Sequence, residues 1–260
     1  MDEKKKKKRL KLIRKDEFGN VLFLKRTLIS ILGTLSYGRY GLVNKMKIEG
    51  AEHLMKLPDE NVFFVSNHQT YFADAIALYH IFCAIKWRFK TIKLPLYLLF
   101  PRAKMYYVAA EETMKKGGIL PKVLNMAGGI TIRRSWRDAG QSVSRGADRS
   151  APEKIATALN SGWVINFPQG TTSAYATIRK GSAHLIKELN PIVVPVVIDG
   201  FRRAFDKRGL LLKKRRTTLK VTFKEPVQFN NEKSVDEIFQ FVESAIEQEP
   251  HRKFQPEKAK

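Results

Sequence analysis

The chain of 260 residues contains one cysteine, Cys83. No internal disulfide can therefore form, and a reducing compartment is favoured. Acidic residues are scarce, 25 Asp and Glu against 48 Lys and Arg, which gives a formal charge of +23 and a pI near 10.1. An excess of that size implies an anionic partner: nucleic acid, an acidic carrier protein or an anionic membrane leaflet. Long apolar runs are missing too. The longest uncharged stretch, Ile155 to Ile178, is interrupted by Asn160, Asn166, Pro168 and Gln169, and a bilayer span needs about 20 apolar residues. The chain also lacks His-rich or Cys-rich metal-ligand spacing, a Gly-rich nucleotide loop, an internal repeat and a small-residue secretory cleavage site. What is present is 43% hydrophobic residues, enough for a substantial core in one large domain with appendages.

The positive charge is clustered. Residues 1–16 hold nine basic against three acidic residues, and Arg202 to Arg216 hold eight against Asp206 alone. A smaller cluster, Lys86, Arg88, Lys90 and Lys93, is interleaved with Trp87 and Phe89. After the first cluster, helical projection of Val21 to Leu35 places Val21, Leu22, Leu24, Leu28, Ile29, Ile31, Leu32 and Leu35 on one broad face. Arg26, Thr27, Ser30, Gly33 and Thr34 fall on the other, with Phe23 and Lys25 as misfits. A basic arm leading into such a helix is the pattern of a segment lying in the surface of an anionic leaflet. The short apolar run Leu94 to Pro101, between Lys93 and Arg102, is a second candidate lipid-facing surface.

The rest alternates. Strand patterns occur at Lys47–Glu49, Val62–Ser66, Met105–Ala109, Ile130–Arg133, Trp163–Phe167, Ile192–Ile198 and Leu219–Phe223. Helical patterns occur at Asp74–Ile85, Ile119–Met126, Glu153–Leu159, Gly181–Leu189 and Val235–Gln248. This order predicts an α/β fold, a sheet with helices on its faces. The division that follows is a basic arm and amphipathic segment over 1–43, an α/β domain over 44–230, and a C-terminal helix with a basic tail over 231–260.

Chemistry begins where the strand at Val62–Ser66 gives way to Asn67-His68-Gln69-Thr70-Tyr71-Phe72-Ala73-Asp74. An imidazole titrates near neutrality and serves as a general base, best when a carboxylate fixes its tautomer. Asp74 is the only carboxylate between Glu60 and Glu111, so His68 has one local candidate partner. The competing reading is a helix-capping Asp74 beside a structural His68.

Asn67-His68 followed by Asp74 resembles the signature of the glycerolipid acyltransferases, the family of 1-acylglycerol-3-phosphate acyltransferase. Further blocks agree in order. Gly129-Ile130-Thr131-Ile132-Arg133-Arg134 resembles the second, a strand ending in a phosphate-binding arginine. Phe167-Pro168-Gln169-Gly170-Thr171-Thr172-Ser173 resembles the third, and Val194-Pro195-Val196 the fourth. Glu225-Pro226 resembles a late family feature, so the likeness runs from about Lys47 to Val227. It implies a central mixed, largely parallel sheet flanked by helices. It also implies transfer of a fatty acyl group from an acyl thioester to the free hydroxyl of a lysolipid, with His68 and Asp74 catalytic. Asn67, Arg133, Arg134, Gln169, Gly170, Thr171, Thr172 and Lys180 are the implied substrate-binding positions, and backbone N–H groups of the Gln169–Thr171 turn are candidate oxyanion donors. No metal or cofactor is implied; the acyl donor is a substrate, carried by acyl carrier protein or coenzyme A. The default acceptor is 1-acylglycerol-3-phosphate, giving phosphatidate in phospholipid biosynthesis.

Three departures stand out. Five residues separate His68 from Asp74 where four are usual, and on one regular helix the extra residue would rotate Asp74 by about 100°. A bend between Gln69 and Ala73 has to absorb it. Gln169 replaces the usual Glu, and Thr172 the usual Arg, while Arg133 stands where an Asp is usual. The lost third-block arginine leaves a lyso-amino-lipid or another lysophospholipid as the alternative acceptor. The implied partners are an anionic membrane surface, the lysolipid and the acyl donor, with the protein peripheral or monotopic on the cytoplasmic face of the cell membrane. A basic nucleic-acid-binding protein is the remote alternative: no helix-turn-helix, RNA-binding aromatic signature or zinc spacing accompanies the charge. His80 on an apolar helix reads as a satisfied core histidine, and Cys83 as a small buried residue. His184 is a weaker candidate for lining the site.

Overall fold

The computed structural model describes residues 14–249 other than 102–103, 117–118, 134–136, 139–140, 143–147 and 231. Most of the basic arm, residues 1–13, and Arg134 lie outside the described residues.

Seven strands form one sheet in the order β1-β9-β8-β2-β7-β3-β4. They are β1 Lys45–Glu49, β2 Val62–Ser66, β3 Met105–Ala110, β4 Gly129–Ile132, β7 Trp163–Asn166, β8 Ile192–Asp199 and β9 Thr218–Phe223; a two-residue pair, β5 Arg137–Asp138 and β6 Gln141–Ser142, stands apart. Every neighbouring pair in the large sheet is parallel except β8 with β9. The sheet is thus mixed and largely parallel, with helices on both faces. β2 sits at the centre, and its whole run, Val62 to Ser66, is buried. A strand covered on both faces carries a continuous apolar sequence rather than an alternating one.

Side chains of β2 still alternate between two cores, as the strand period requires. Val62 and Phe64 enter a core shared with the helix Ala73–Lys86, and Phe63 and Val65 a core shared with the helices Ala151–Leu159, Lys180–Leu189 and Val235–Ala245. The last of these starts at a capping box in which Ser234 and Glu237 satisfy each other's backbone N–H groups. It buries Ile238, Val242 and Ile246, so the C-terminal segment belongs to the same packed body.

The N-terminal helix spans Leu22–Tyr37. Its broad apolar face divides. Lys25, Ile29, Gly33 and Ser36 point inward, whereas Leu24, Ile31 and Leu35 are exposed along with Phe23. Lys25, a misfit in projection, is buried between the Asp16 carboxylate at 3.3 Å and the Tyr106 ring at 4.0 Å. Loss of hydration lowers its pKa, opposed by Asp16. Gly33 packs closely here: a Cβ would stand 2.4 Å from Leu98 Cδ2, so that side chain would have to shift. A buried histidine locks this arrangement: His80 Nε2 meets Ser36 Oγ at 2.9 Å and Nδ1 meets Tyr97 Oη at 3.1 Å. Burial lowers the His80 pKa to about 4, so the ring is neutral at physiological pH. His80 and Cys83 are core residues, as their sequence context predicts.

Candidate active site

In an open sheet of parallel strands, ligands collect beyond the carboxyl ends of the strands. The turn after β2 carries Asn67 and His68; the turn after the neighbouring β7 carries Phe167 to Thr172; β8 ends alongside. Three of the four sequence blocks therefore converge because their strands are adjacent. Asn67 fastens the first turn to β8: its Nδ2 donates to the Ile198 carbonyl at 2.8 Å and its Oδ1 accepts the Ile198 N–H at 2.7 Å.

His68 Nδ1 lies 3.0 Å from Asp74 Oδ2. The added residue between them is taken up by a bend over 69–72 ahead of the helix Ala73–Lys86. That bend wraps Asp74. Besides the imidazole, its carboxylate accepts the N–H groups of Gln69 and Thr70 and the Thr70 hydroxyl, the last at 2.7 Å. The group is fully buried, and a buried carboxylate is stable as an anion only when donors replace its lost water. Its place in the first turn of the helix adds the favourable end of the helix dipole. With Nδ1–H given to Asp74, Nε2 carries the lone pair of the ring. Tyr40 donates to the Ala73 carbonyl at 3.0 Å; burial first, then the Asp74 charge, raises its pKa, so the phenol stays protonated.

A second layer holds the imidazole in place. Phe167 stacks on His68, ring centroids 4.0 Å apart and planes 19° from parallel. Gln169 Oε1 accepts the His68 N–H at 3.4 Å, while its Nε2 donates to the Ala176 carbonyl at 2.8 Å and to Gln248 Oε1 at 2.9 Å. Gln248 Oε1 also accepts the Tyr175 N–H. A carboxylate at position 169 would face two acceptors, so the surroundings here match an amide.

His68 opens onto a cavity of about 1170 Å³. Its apolar wall includes Ile29, Leu32, Ile76, Leu98, Met114 and Leu124, so the N-terminal helix and the Pro95–Leu98 turn help to close it. Its polar wall carries Arg133, Arg179, Lys180, Arg208 and His184 with Glu112, Asp148 and Glu188. Asp148 is committed: it accepts the N–H groups of Arg133 and Ser150 and the Ser150 hydroxyl, which lowers its pKa to about 2. Lys180 Nζ is paired with Asp236 at 2.6 Å.

The candidate residues thus separate by position. His68, Arg133, Gly170, Thr171 and Lys180 line the cavity, whereas Asn67, Asp74, Gln169 and Thr172 are buried outside its lining. The Thr172 carbonyl accepts Arg202 Nη2 at 2.7 Å. Within the Gln169–Thr171 turn, the Gly170 N–H is taken by the Phe167 carbonyl at 3.0 Å. Among the described residues neither the Gln169 nor the Thr171 N–H has an acceptor. Phe167, Arg208 and Gln248 were not singled out in the sequence. Phe167 was legible, as the first residue of the third block, and Arg208 only as one of the eight basic residues between Arg202 and Arg216; Gln248 arrives through tertiary contacts without a local signature. Among the described residues no group of three His, Cys, Asp or Glu side chains could hold a metal ion.

The profile of the family described as Acyltransferase matches residues 45–199. Among solved structures, the chain is similar to the 1-acyl-sn-glycerophosphate (LPA) acyltransferase, PlsC, from Thermotoga maritima, with a TM-score of 0.52 and 22% identity over 88% of this chain and 80% of that one. No curated protein sequence matches. The matched profile takes in β1 through β8 and the turns after β2 and β7.

Proposed function

The chain belongs to the acyltransferase family, and from that premise we propose that it moves a fatty acyl group from an acyl thioester to the free hydroxyl of a lysolipid. The observation that carries this reading is the His68–Asp74 contact of 3.0 Å, with His68 in the wall of a largely apolar cavity of about 1170 Å³. His68 Nε2 removes the proton from the acceptor hydroxyl as its oxygen attacks the thioester carbonyl, and Asp74 stabilises the imidazolium that forms. The Thr171 N–H meets the oxyanion. The attack forms the C–O bond of the new ester, and collapse of the tetrahedral intermediate restores the carbonyl and breaks the C–S bond; the imidazolium returns the proton to the departing thiolate. The fatty chain lies in the apolar part of the cavity.

The acceptor in this reading is 1-acylglycerol-3-phosphate and the product phosphatidate, a step of phospholipid biosynthesis. The guanidinium groups on the polar wall support an anionic headgroup. The basic stretch 202–216 suits either acyl carrier protein or coenzyme A as donor, both anionic. Among the described residues no helix is long and apolar enough to cross a membrane. The exposed Phe23, Leu24, Ile31 and Leu35, with Leu94, Leu96, Leu99 and Phe100, support monotopic attachment, in this reading on the cytoplasmic face of the membrane. The test is a panel of lysolipids given to the purified protein with each donor. Phosphatidate formed fastest from lysophosphatidate is the expected result. Faster acylation of a lyso-amino-lipid would move the headgroup assignment, and no transfer to any lysolipid would overturn the reaction.

A further inference from the structure

The bend that absorbs the extra residue is bonded to a loop that lies outside all four blocks. The Tyr71 N–H donates to the Lys207 carbonyl at 3.1 Å, the Phe72 N–H to the Arg208 carbonyl at 3.0 Å, and the Arg202 N–H to Gln69 Oε1 at 3.1 Å. Gly209, at φ +78°, presses against the same bend; a Cβ there would stand 2.5 Å from the Ala73 nitrogen and 2.9 Å from Thr70 Oγ1. The widened His–Asp turn and the loop are therefore one fitted unit. Its result is that Arg208 joins His68, Tyr71 and Gly170 in the cavity wall.

The cations of that wall are not equivalent. Lys180 is paired with Asp236, and Arg179 has a partner. Among the described residues, the guanidinium groups of Arg133 and Arg208 make no hydrogen bond or ion pair. Of the carboxylates lining the cavity, Asp148 is occupied and Glu112 has a partner. Glu188 lies about 12 Å along its helix from Lys180, at 1.5 Å per residue. Arg133 and Arg208 are thus uncommitted guanidiniums in the wall of the cavity that His68 lines, and a guanidinium binds phosphate through paired N–H groups.

We propose that Arg208, mounted on the bend by this loop, grips the phosphate of the acceptor headgroup together with Arg133. It would supply the cation that the third block lacks at Thr172. The proposal rests on the lysolipid reading above. The phosphate anchored there leaves the free hydroxyl of the same headgroup facing His68 Nε2, so Arg208 selects the acceptor and does not serve the donor.

The test compares the wild type with Arg208→Ala, Arg208→Lys and a control, Arg203→Ala, which removes an arginine of the short helix Phe201–Ala204 that is paired with Asp199 outside the cavity wall. KM is measured separately for lysophosphatidate and for the acyl donor. Binding is measured to nonionic detergent micelles doped with lysophosphatidate or with monoacylglycerol, which lacks the phosphate. For Arg208→Ala we expect KM for lysophosphatidate to rise ten-fold or more, with donor KM within two-fold. The binding preference for lysophosphatidate micelles should fall in parallel, Arg208→Lys should lie between, and Arg203→Ala should match wild type. A rise in donor KM alone, unchanged constants, or an equal loss in Arg203→Ala would each overturn the assignment. Should no lysolipid be acylated, the reaction reading fails while the micelle preference still decides Arg208.

Discussion

The bend at 67–74 and the surface made by the N-terminal helix with residues 94–100 both border one cavity and are built on opposite rules. In the bend, polar groups are buried and matched: Asp74 has four donors, Asn67 two backbone partners, and Gln169 three contacts. On the helix and its neighbour, apolar groups stand in the open; Phe23 is 78% exposed, Leu35 74% and Phe100 72%. A buried polar network fixes geometry because an unmatched donor costs about 1–3 kcal/mol, which suits proton transfer. An exposed apolar patch gains nothing from the fold and is stabilised only by what covers it.

Breaking the network should have the largest effect. Asp74→Asn keeps the shape but removes the charge that holds the imidazolium; kcat should fall roughly 10²–10⁴-fold, read by steady-state acyl transfer with circular dichroism confirming the fold. An Asn variant as active as wild type would remove Asp74 from the mechanism. Gly209→Ala comes next. Its Cβ cannot fit against Ala73, and displacement of the bend by about 1 Å can lower activity up to ~100-fold; unchanged turnover would show that the loop does not set the turn. Gln169→Glu sharpens the point, because an acceptor would then face the Ala176 carbonyl and Gln248. A loss of about 1–3 kcal/mol is expected in denaturant unfolding, with gained stability as the contrary result. On the other side of the comparison, Leu35→Ser with Phe100→Ser should leave stability within about 0.5 kcal/mol. Sedimentation with anionic vesicles should drop about ten-fold or more, given about 1.5–3 kcal/mol for each large side chain buried in lipid. Equal sedimentation would place the attachment surface elsewhere.

Much of this was legible in the sequence, for reasons that differ by region. The sheet was, because central strands such as Val62–Ser66 must be apolar throughout and the intervening helices keep a helical period. The pairing of His68 with Asp74 was framed by the absence of other local carboxylates, and the need for a bend by helix geometry. The bend itself was not readable, because it is shaped by Lys207, Arg208 and Gly209, more than 130 positions away. The same holds for Gln248 beneath Gln169. For the N-terminal helix, periodicity gave its extent but not its buried face: Lys25 turns inward because Asp16 and Tyr106 await it, a contact no projection contains.

The central claim is that His68 is the base of an acyl transfer to a lysolipid. It is tested most directly by supplying lysophosphatidate and a labelled acyl thioester to the purified wild type and to His68→Ala, folded equally by circular dichroism, and counting labelled phosphatidate. Steady product is expected from the wild type and at least about a hundred-fold less from the variant. Equal product from both would contradict it.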